Sequence, residues 1–144
     1  MAALRTFYLI RQVSNLVRII LERGLADLDI TPAQYTLMNW LMERERVTSA
    51  MLARALQVSP QTMNTLISAL QKKGLVSRAN DARNKRILLI SLTPAGRDAM
   101  AACARIVDRL EDEYFAQLGA TELIAFRHTL EGLINRRPRR IESR

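Results

Sequence analysis

Residues 48–92 read TSAMLARALQVSPQTMNTLISALQKKGLVSRANDARNKRILLISL, and their punctuation decides the fold. Thr48 is placed to open a short helix over 49–56, and Ser59-Pro60 to open a second over 60–73. A Thr or Ser hydroxyl accepts an orphan N–H of the first turn, and proline suits the first helical position. Gly74 ends the second helix. Leu52, Ala53 and Leu56 share one face of the first helix. Met63, Leu66, Ile67 and Leu70 share one face of the second, at amphipathic spacing. The joint Gln57-Val58-Ser59 is too short for bundle packing, so the pair reads as a helix-turn-helix, with Val58 plugging the turn and Ala53 at the close approach.

Outward on the second helix remain Gln61, Asn64, Thr65, Ser68 and Lys72, with Thr62 at the border. Short uncharged polar side chains can hydrogen-bond base edges in a major groove that admits one helix. Gln and Asn pair bidentately with adenine, and Thr meets a thymine methyl. The helix start at Ser59 and Pro60 offers N–H groups to phosphate, and Thr48 joins this set as the preceding cap. Taken alone, such residues equally describe a solvated face. The segment beyond Gly74 favours base reading. Residues 75–78 and 86–92 are rich in Leu, Val and Ile and flank the polar turn Ala79-Asn80-Asp81-Ala82-Arg83-Asn84-Lys85, which predicts a β-hairpin. Which face of residues 87–90 turns inward is open, because they do not alternate. The tip carries Arg83, Lys85 and Arg86, cations suited to phosphates or to a narrow minor groove. A charged turn that guards an edge strand is the plainer alternative, and a helix-turn-helix directly before it makes that alternative the weaker one.

The flanks are helical. Residues 4–23 carry Leu9, Val13, Leu16, Val17 and Ile20 at helical spacing. Phe7, Ile10, Ile19 and Leu21 widen that stripe, so this helix is expected to pack on two sides. Gly24 reads as its end and 27–30 as a connection. Thr31-Pro32 opens a helix over 32–43. Thr93-Pro94 opens a long one to about residue 118 whose Met100, Cys103, Val107, Leu110 and Tyr114 form a seam able to face another helix. Gly119 reads as its stop, Thr121 as the cap of a last helix to about Arg136, and Pro138 as the end of regular structure. The predicted fold is mainly α with one small β-hairpin (α+β): a winged helix-turn-helix core between N- and C-terminal helices, in a single domain spanning 1–144.

Charge supports a polyanionic partner. The net charge is +8, and Lys72 to Arg86 holds six cations (Lys72, Lys73, Arg78, Arg83, Lys85, Arg86) against Asp81, whereas residues 110–131 are acidic. No apolar run approaches the ~20 residues of a membrane span. The start, MAALRTFYLIRQVSNLVRII, is broken at helical spacing by Arg11, Arg18 and Glu22, so it reads as a mature helix and not a signal peptide. Cys103 is the only cysteine; no intrachain disulfide can form, which fits a cytoplasmic location. On the apolar seam Cys103 reads as structural rather than as a redox sensor. His128 is the only histidine. Without clustered ligands or a Cys–His pair, no metal, cofactor or catalytic activity is expected.

Two stretches, ITPAQYTLMNWL (30–41) and LARALQVSPQTMNTLISALQKKGLVSRANDARNKRILLISLTPAG (52–96), resemble the MarR family of winged-helix regulators. Leu52-Ala53, Leu56, Ser59, Leu66, Leu70, Gly74-Leu75-Val76, Arg78, the tip Asp81 to Arg86, Leu92-Thr93 and Gly96 carry the resemblance. It implies a homodimer held by residues 1–30 and 94–144, with a DNA-binding lobe over 31–93. Each subunit's recognition helix would enter a major groove, and its wing the flanking minor groove, of a pseudo-palindromic double-stranded operator. The function implied is a transcriptional regulator, foremost a repressor released by a small aromatic or phenolic effector bound between the dimerisation helices and the DNA-binding lobe. Tyr8, Arg11, Arg18, Tyr35 and Trp40 are the candidate effector residues, with an arginine meeting a carboxylate; ordinary packing is their alternative. The chain departs from the family where an Asp-x-Arg wing motif is replaced by Asn84-Lys85-Arg86 and an acidic recognition-helix residue by Ser68. That leaves Arg86 without its usual partner. Two other functions remain open at this level, a nonspecific architectural DNA-binding protein and a helical dimer serving as a protein-interaction module. The basic run Arg136-Arg137-Pro138-Arg139-Arg140 reads as a solvated tail.

Overall fold

A computed structural model describes residues 4–136, so Pro138 and the tail cations Arg137, Arg139 and Arg140 lie outside the described residues. The elements run α1 (Thr6–Leu25), a 3₁₀ turn (Ala26–Leu28), α2 (Pro32–Leu41), α3 (Ser49–Leu56), α4 (Pro60–Lys72), β1 (Val76–Asn80), β2 (Leu88–Leu92), α5 (Pro94–Tyr114) and α6 (Ala120–Asn135). They fall into two compact units, one up to Leu110 and one from Glu111 onward.

Three of the helix starts follow from their caps. Thr31 accepts from the Gln34 N–H at 3.2 Å, and the Gln34 side chain accepts from the Thr31 N–H at 3.1 Å, a reciprocal capping box ahead of Pro32. Thr48 accepts from the Met51 N–H at 3.2 Å. Ser59 accepts from the Thr62 N–H at 3.0 Å. Between α3 and α4, Gln57 adopts a left-handed conformation (φ 56°), and the Val58 N–H donates to the Ala53 carbonyl at 3.0 Å. That closes the sharp turn the short joint required. Gly74 (φ 74°) ends α4 in the left-handed region, and the Leu75 N–H reaches back to the Leu70 carbonyl at 3.0 Å.

Three helix boundaries differ most from the sequence reading. α5 ends at Tyr114, four residues short of the expected 118, so Gly119 is not its stop. Gly24 does not end α1, which continues to Leu25. A β-carbon at Gly24 would lie 2.5 Å from Leu110 Cδ1 of α5, so this glycine serves a close helix–helix approach. The chain turns instead at Asp29 (φ 53°). Thr121 does not cap α6; Gly119 occupies that position, with no side-chain hydrogen bond.

β1 and β2 pair antiparallel from Val76↔Leu92 to Asn80↔Leu88. The Ile90 N–H also donates to the Val47 carbonyl at 2.7 Å, so the α2–α3 connection adds a one-residue bridge to the hairpin. Ile90 and Leu92 are buried and share one face with Leu88, which is exposed because it lies toward the tip beyond the core; the face of Leu88, Ile90 and Leu92 is therefore the inward one. The core of this first unit gathers the predicted helix faces. Leu52, Ala53, Met63, Ile67 and Leu70 are buried with Leu25, Leu37, Met38, Val47, Met100 and Cys103, and Leu56, Val58 and Leu66 pack partly buried against them. On α1, Phe7, Leu9, Ile10, Val13 and Leu16 stay exposed.

In the second unit, Tyr114 and Phe115 meet edge to face at 5.0 Å, and Phe115 lies 6.2 Å from Phe126. Arg127 pairs with Glu111 at 3.0 Å. No residue of α6 is buried, and Ile124, Phe126, Leu130, Leu133 and Ile134 are exposed.

Candidate nucleic-acid interface

Burial of Met63, Ile67 and Leu70 fixes the rotation of α4 about its axis, and that rotation determines what faces outward. Gln61, Asn64, Thr65, Ser68, Ala69 and Lys72 line one open depression along the opposite side. At its start the Ser59 hydroxyl donates to Thr62 Oγ1 at 2.9 Å, so these two side chains brace the helix N-terminus beside exposed Pro60. Thr65 donates to the Gln61 carbonyl at 3.1 Å. Among the described residues, no hydrogen bond or ion pair occupies the side chains of Gln61, Asn64 and Lys72, which leaves their polar ends available to a ligand.

A second groove adjoins the first. Thr48, Ser49 and Ala50 at the start of α3, Asn64 of α4, and Arg78, Ile87, Leu88 and Ile90 of the hairpin line it. Arg78 crosses from β1 to the recognition helix, donating from Nη2 to Ser68 Oγ at 3.3 Å and to the Asn64 carbonyl at 3.4 Å. The arginine that ties hairpin to helix is therefore Arg78 and not Arg86, and Ser68 accepts a neutral hydrogen bond where an acid would form an ion pair.

The hairpin tip is pinned through its backbone. The Asp81 N–H donates to the Ile87 carbonyl at 2.8 Å, Asn80 Nδ2 to the Lys85 carbonyl at 2.5 Å, and the Arg86 N–H to Asn84 Oδ1 at 3.1 Å. Asp81 is only 3% exposed. Its carboxylate accepts from Arg46 Nη1 at 2.9 Å and Nη2 at 2.5 Å, and from the Arg83 N–H at 3.1 Å. The Arg46 hydrogen bond, with help from the Arg83 N–H, holds the Asp81 carboxyl below its ordinary range. Arg83, Lys85 and Arg86 are exposed, and among the described residues none of them forms an ion pair. Sequence reasoning missed Arg46 and Arg78 as organisers. The one available signal was Asp81, a lone acid inside the most basic stretch.

The five candidate effector residues have partners within the chain. Arg11 stands 5.9 Å from the Tyr8 ring centroid, and Arg18 pairs with Glu22 at 3.0 Å. Arg44 stacks over Trp40 at 4.1 Å, and Tyr35 packs half-buried against the core. Cys103 is fully buried, and burial pushes its thiol pKa up, the opposite of an activated thiol. His128 lies at 3.5 Å from Glu131 on an exposed surface. Among the described residues, no three His, Cys, Asp or Glu side chains are grouped to hold a metal ion, and no helix is long and apolar enough to cross a membrane.

A helix-turn-helix whose second helix exposes a polar row, followed by a cation-tipped hairpin, defines a winged-helix DNA-binding protein. The MarR family profile matches residues 28–87. The HTH-type transcriptional repressor Rv2887 of Mycobacterium tuberculosis is 33% identical over 127 residues, covering 88% of this chain and 91% of that protein. The Staphylococcus aureus MepR–DNA complex superposes with a TM-score of 0.79 at 27% identity, over 92% of this chain and 98% of that one. A mutant of Escherichia coli MarR complexed with operator DNA superposes with a TM-score of 0.78 at 27% identity, over 88% and 91%. The chain belongs to the MarR family. It is a DNA-binding transcriptional regulator, of a family that is not enzymatic.

Proposed function

We propose that the chain is a homodimeric, sequence-specific repressor acting in the cytoplasm as one MarR-type domain. Residues 31–93 engage a pseudo-palindromic duplex, and residues 1–30 and 94–144 pair the subunits. The observation that carries this is the single outward row of Gln61, Asn64, Thr65, Ser68 and Lys72 beside the unpaired cations Arg83, Lys85 and Arg86. The polar row reads base edges, and the cations, with the braced helix start at Ser59, Pro60 and Thr62 and the α3 cap Thr48, hold phosphates. The MepR and MarR complexes with DNA support the same use of the fold. Pairing is supported by the apolar faces left exposed on α1 and on α6, because scattered exposed hydrophobes are ordinary but continuous stripes mark partner surfaces.

Selection of bound duplexes from a random pool tests this directly. Two-fold protein should select dyad-symmetric DNA with half-sites about 34–36 Å apart, and sedimentation should give a dimer. Recovery of sequences without a consensus would favour an architectural protein, and failure to bind any duplex would favour a protein-interaction module. Release by an aromatic or phenolic carboxylate belongs to the same proposal, with Tyr8, Arg11, Arg18, Tyr35 and Trp40 as its contacts. Titration of the selected complex with salicylate-like acids should lower occupancy in the wild type, and less so in Arg11→Ala or Arg18→Ala.

A further inference from the structure

The connection between α2 and α3 does more than join two helices. Arg46 sits there in the left-handed region (φ 55°), a conformation that a side chain disfavours and that persists only where surroundings impose it. Its neighbour Val47 is fully buried and bridges to Ile90 in β2, while Arg46 itself grips Asp81 at the far end of β1 with both guanidinium nitrogens. One short segment thus holds the hairpin at two points, through its backbone on β2 and through a two-pronged ion pair where β1 gives way to the tip. Asp81 passes the constraint onward, since its carboxylate also accepts from the Arg83 N–H and its own N–H closes the tip on the Ile87 carbonyl. An acid in this stretch repels a polyanion, so its placement is explained only by what it holds.

We propose that the Arg46–Asp81 clasp is the positioning element that sets Arg83, Lys85 and Arg86 against the duplex. Arg46 acts through Asp81 on the tip rather than by contacting DNA. This rests on the DNA-binding role given to the wing, and it makes a prediction contrary to simple electrostatics. Asp81→Asn raises the net charge by one and should tighten binding if charge alone mattered. If the clasp matters, that variant binds more weakly, because a loosened tip no longer presents its cations together.

The test uses the full chain, a fluorescein-labelled duplex of mixed sequence, and anisotropy titrations over a range of potassium chloride. The wild type should bind with a steep log–log salt dependence. Asp81→Asn and Arg46→Ala should bind at least about threefold more weakly, with a slope shallower by about one, the loss expected for one phosphate contact. Arg46→Lys keeps the charge but not the two-pronged geometry and should fall between. The exchanged pair Arg46→Asp with Asp81→Arg should recover part of the loss. Amide exchange over 81–87, measured without DNA, should quicken in Asp81→Asn and Arg46→Ala while exchange over 61–70 stays put. Asp81→Asn that binds as tightly as the wild type or tighter, with an undiminished slope, would overturn the clasp's role. So would unchanged exchange at the tip. A wild type whose binding ignores salt would instead overturn the DNA-binding reading itself, and the positioning role with it.

Discussion

Gly96 lies in the first turn of α5, where the chain leaves the hairpin, and its replacement by alanine tests how tightly that junction is built. A β-carbon there would stand 2.0 Å from the Leu75 carbonyl oxygen, 3.0 Å from the Leu75 carbonyl carbon and 3.2 Å from Leu92 Cδ2. Ordinary C···O contacts are about 3.3–3.6 Å, so the two segments must part by more than about 1 Å. The obstacle is backbone on one side and a fully committed junction on the other. The Leu75 carbonyl accepts the Thr93 N–H at 3.1 Å, while the Thr93 hydroxyl donates to the Gly74 carbonyl at 2.6 Å and accepts from the Gly96 N–H at 3.0 Å. Overpacking typically costs about 1–3 kcal/mol, and each weakened hydrogen bond about 1 kcal/mol. Alanine's better helix propensity returns about 1 kcal/mol, leaving a net loss near 2–3 kcal/mol. For a chain of this length that is a fall in Tm of roughly 6–10 °C, read by circular dichroism at one fixed protein concentration, because a dimer's Tm depends on it. Gly96→Ala melting within about 2 °C of the wild type would refute the close approach.

Adjacent residues of α4 should separate stability from recognition. Met63→Ala should cost about 2–5 kcal/mol of stability because its side chain is fully buried. Asn64→Ala, on the exposed row, should stay within about 0.5 kcal/mol in stability. It should weaken binding to a selected duplex by about 1–3 kcal/mol and relax sequence preference at one position. Cys103, buried with a raised pKa, should react with Ellman's reagent only as fast as the fold opens, and at once in denaturant. The depressed Asp81 pKa means its contribution to wing order is fully present above the ordinary carboxylate range and is lost as pH falls through its lower folded value. Protection factors of the tip amides, corrected for the intrinsic exchange rate at each pH, should therefore stay level near neutrality and fall only in acid, and Asp81→Asn should abolish that transition.

What was legible in the sequence was what is local. Thr31-Pro32, Thr48 and Ser59-Pro60 announce helix starts because a cap satisfies backbone donors within three residues of itself, and all three caps form as read. The outward row of α4 was legible because burial of Met63, Ile67 and Leu70 leaves it no other direction to face. Gly24 was misread because a terminating glycine and a close-packing one look alike until Leu110 is brought beside it. Gly119 took the cap expected of Thr121, a choice between neighbours that local preference barely distinguishes. The Arg46–Asp81 pair spans 35 positions and follows no periodicity; it emerges only when the hairpin folds back over the α2–α3 connection.

The central claim is that the outward row of α4 and the hairpin tip together form the surface that meets DNA. Titrating the ¹⁵N-labelled protein with a duplex recovered by selection tests it most directly. The largest amide shifts should fall within 59–72 and 81–87 and fade together as salt rises, while buried Leu52 and Cys103 barely move. A duplex that shifts other surfaces and leaves 61, 64, 65 and 83–86 untouched would contradict the account.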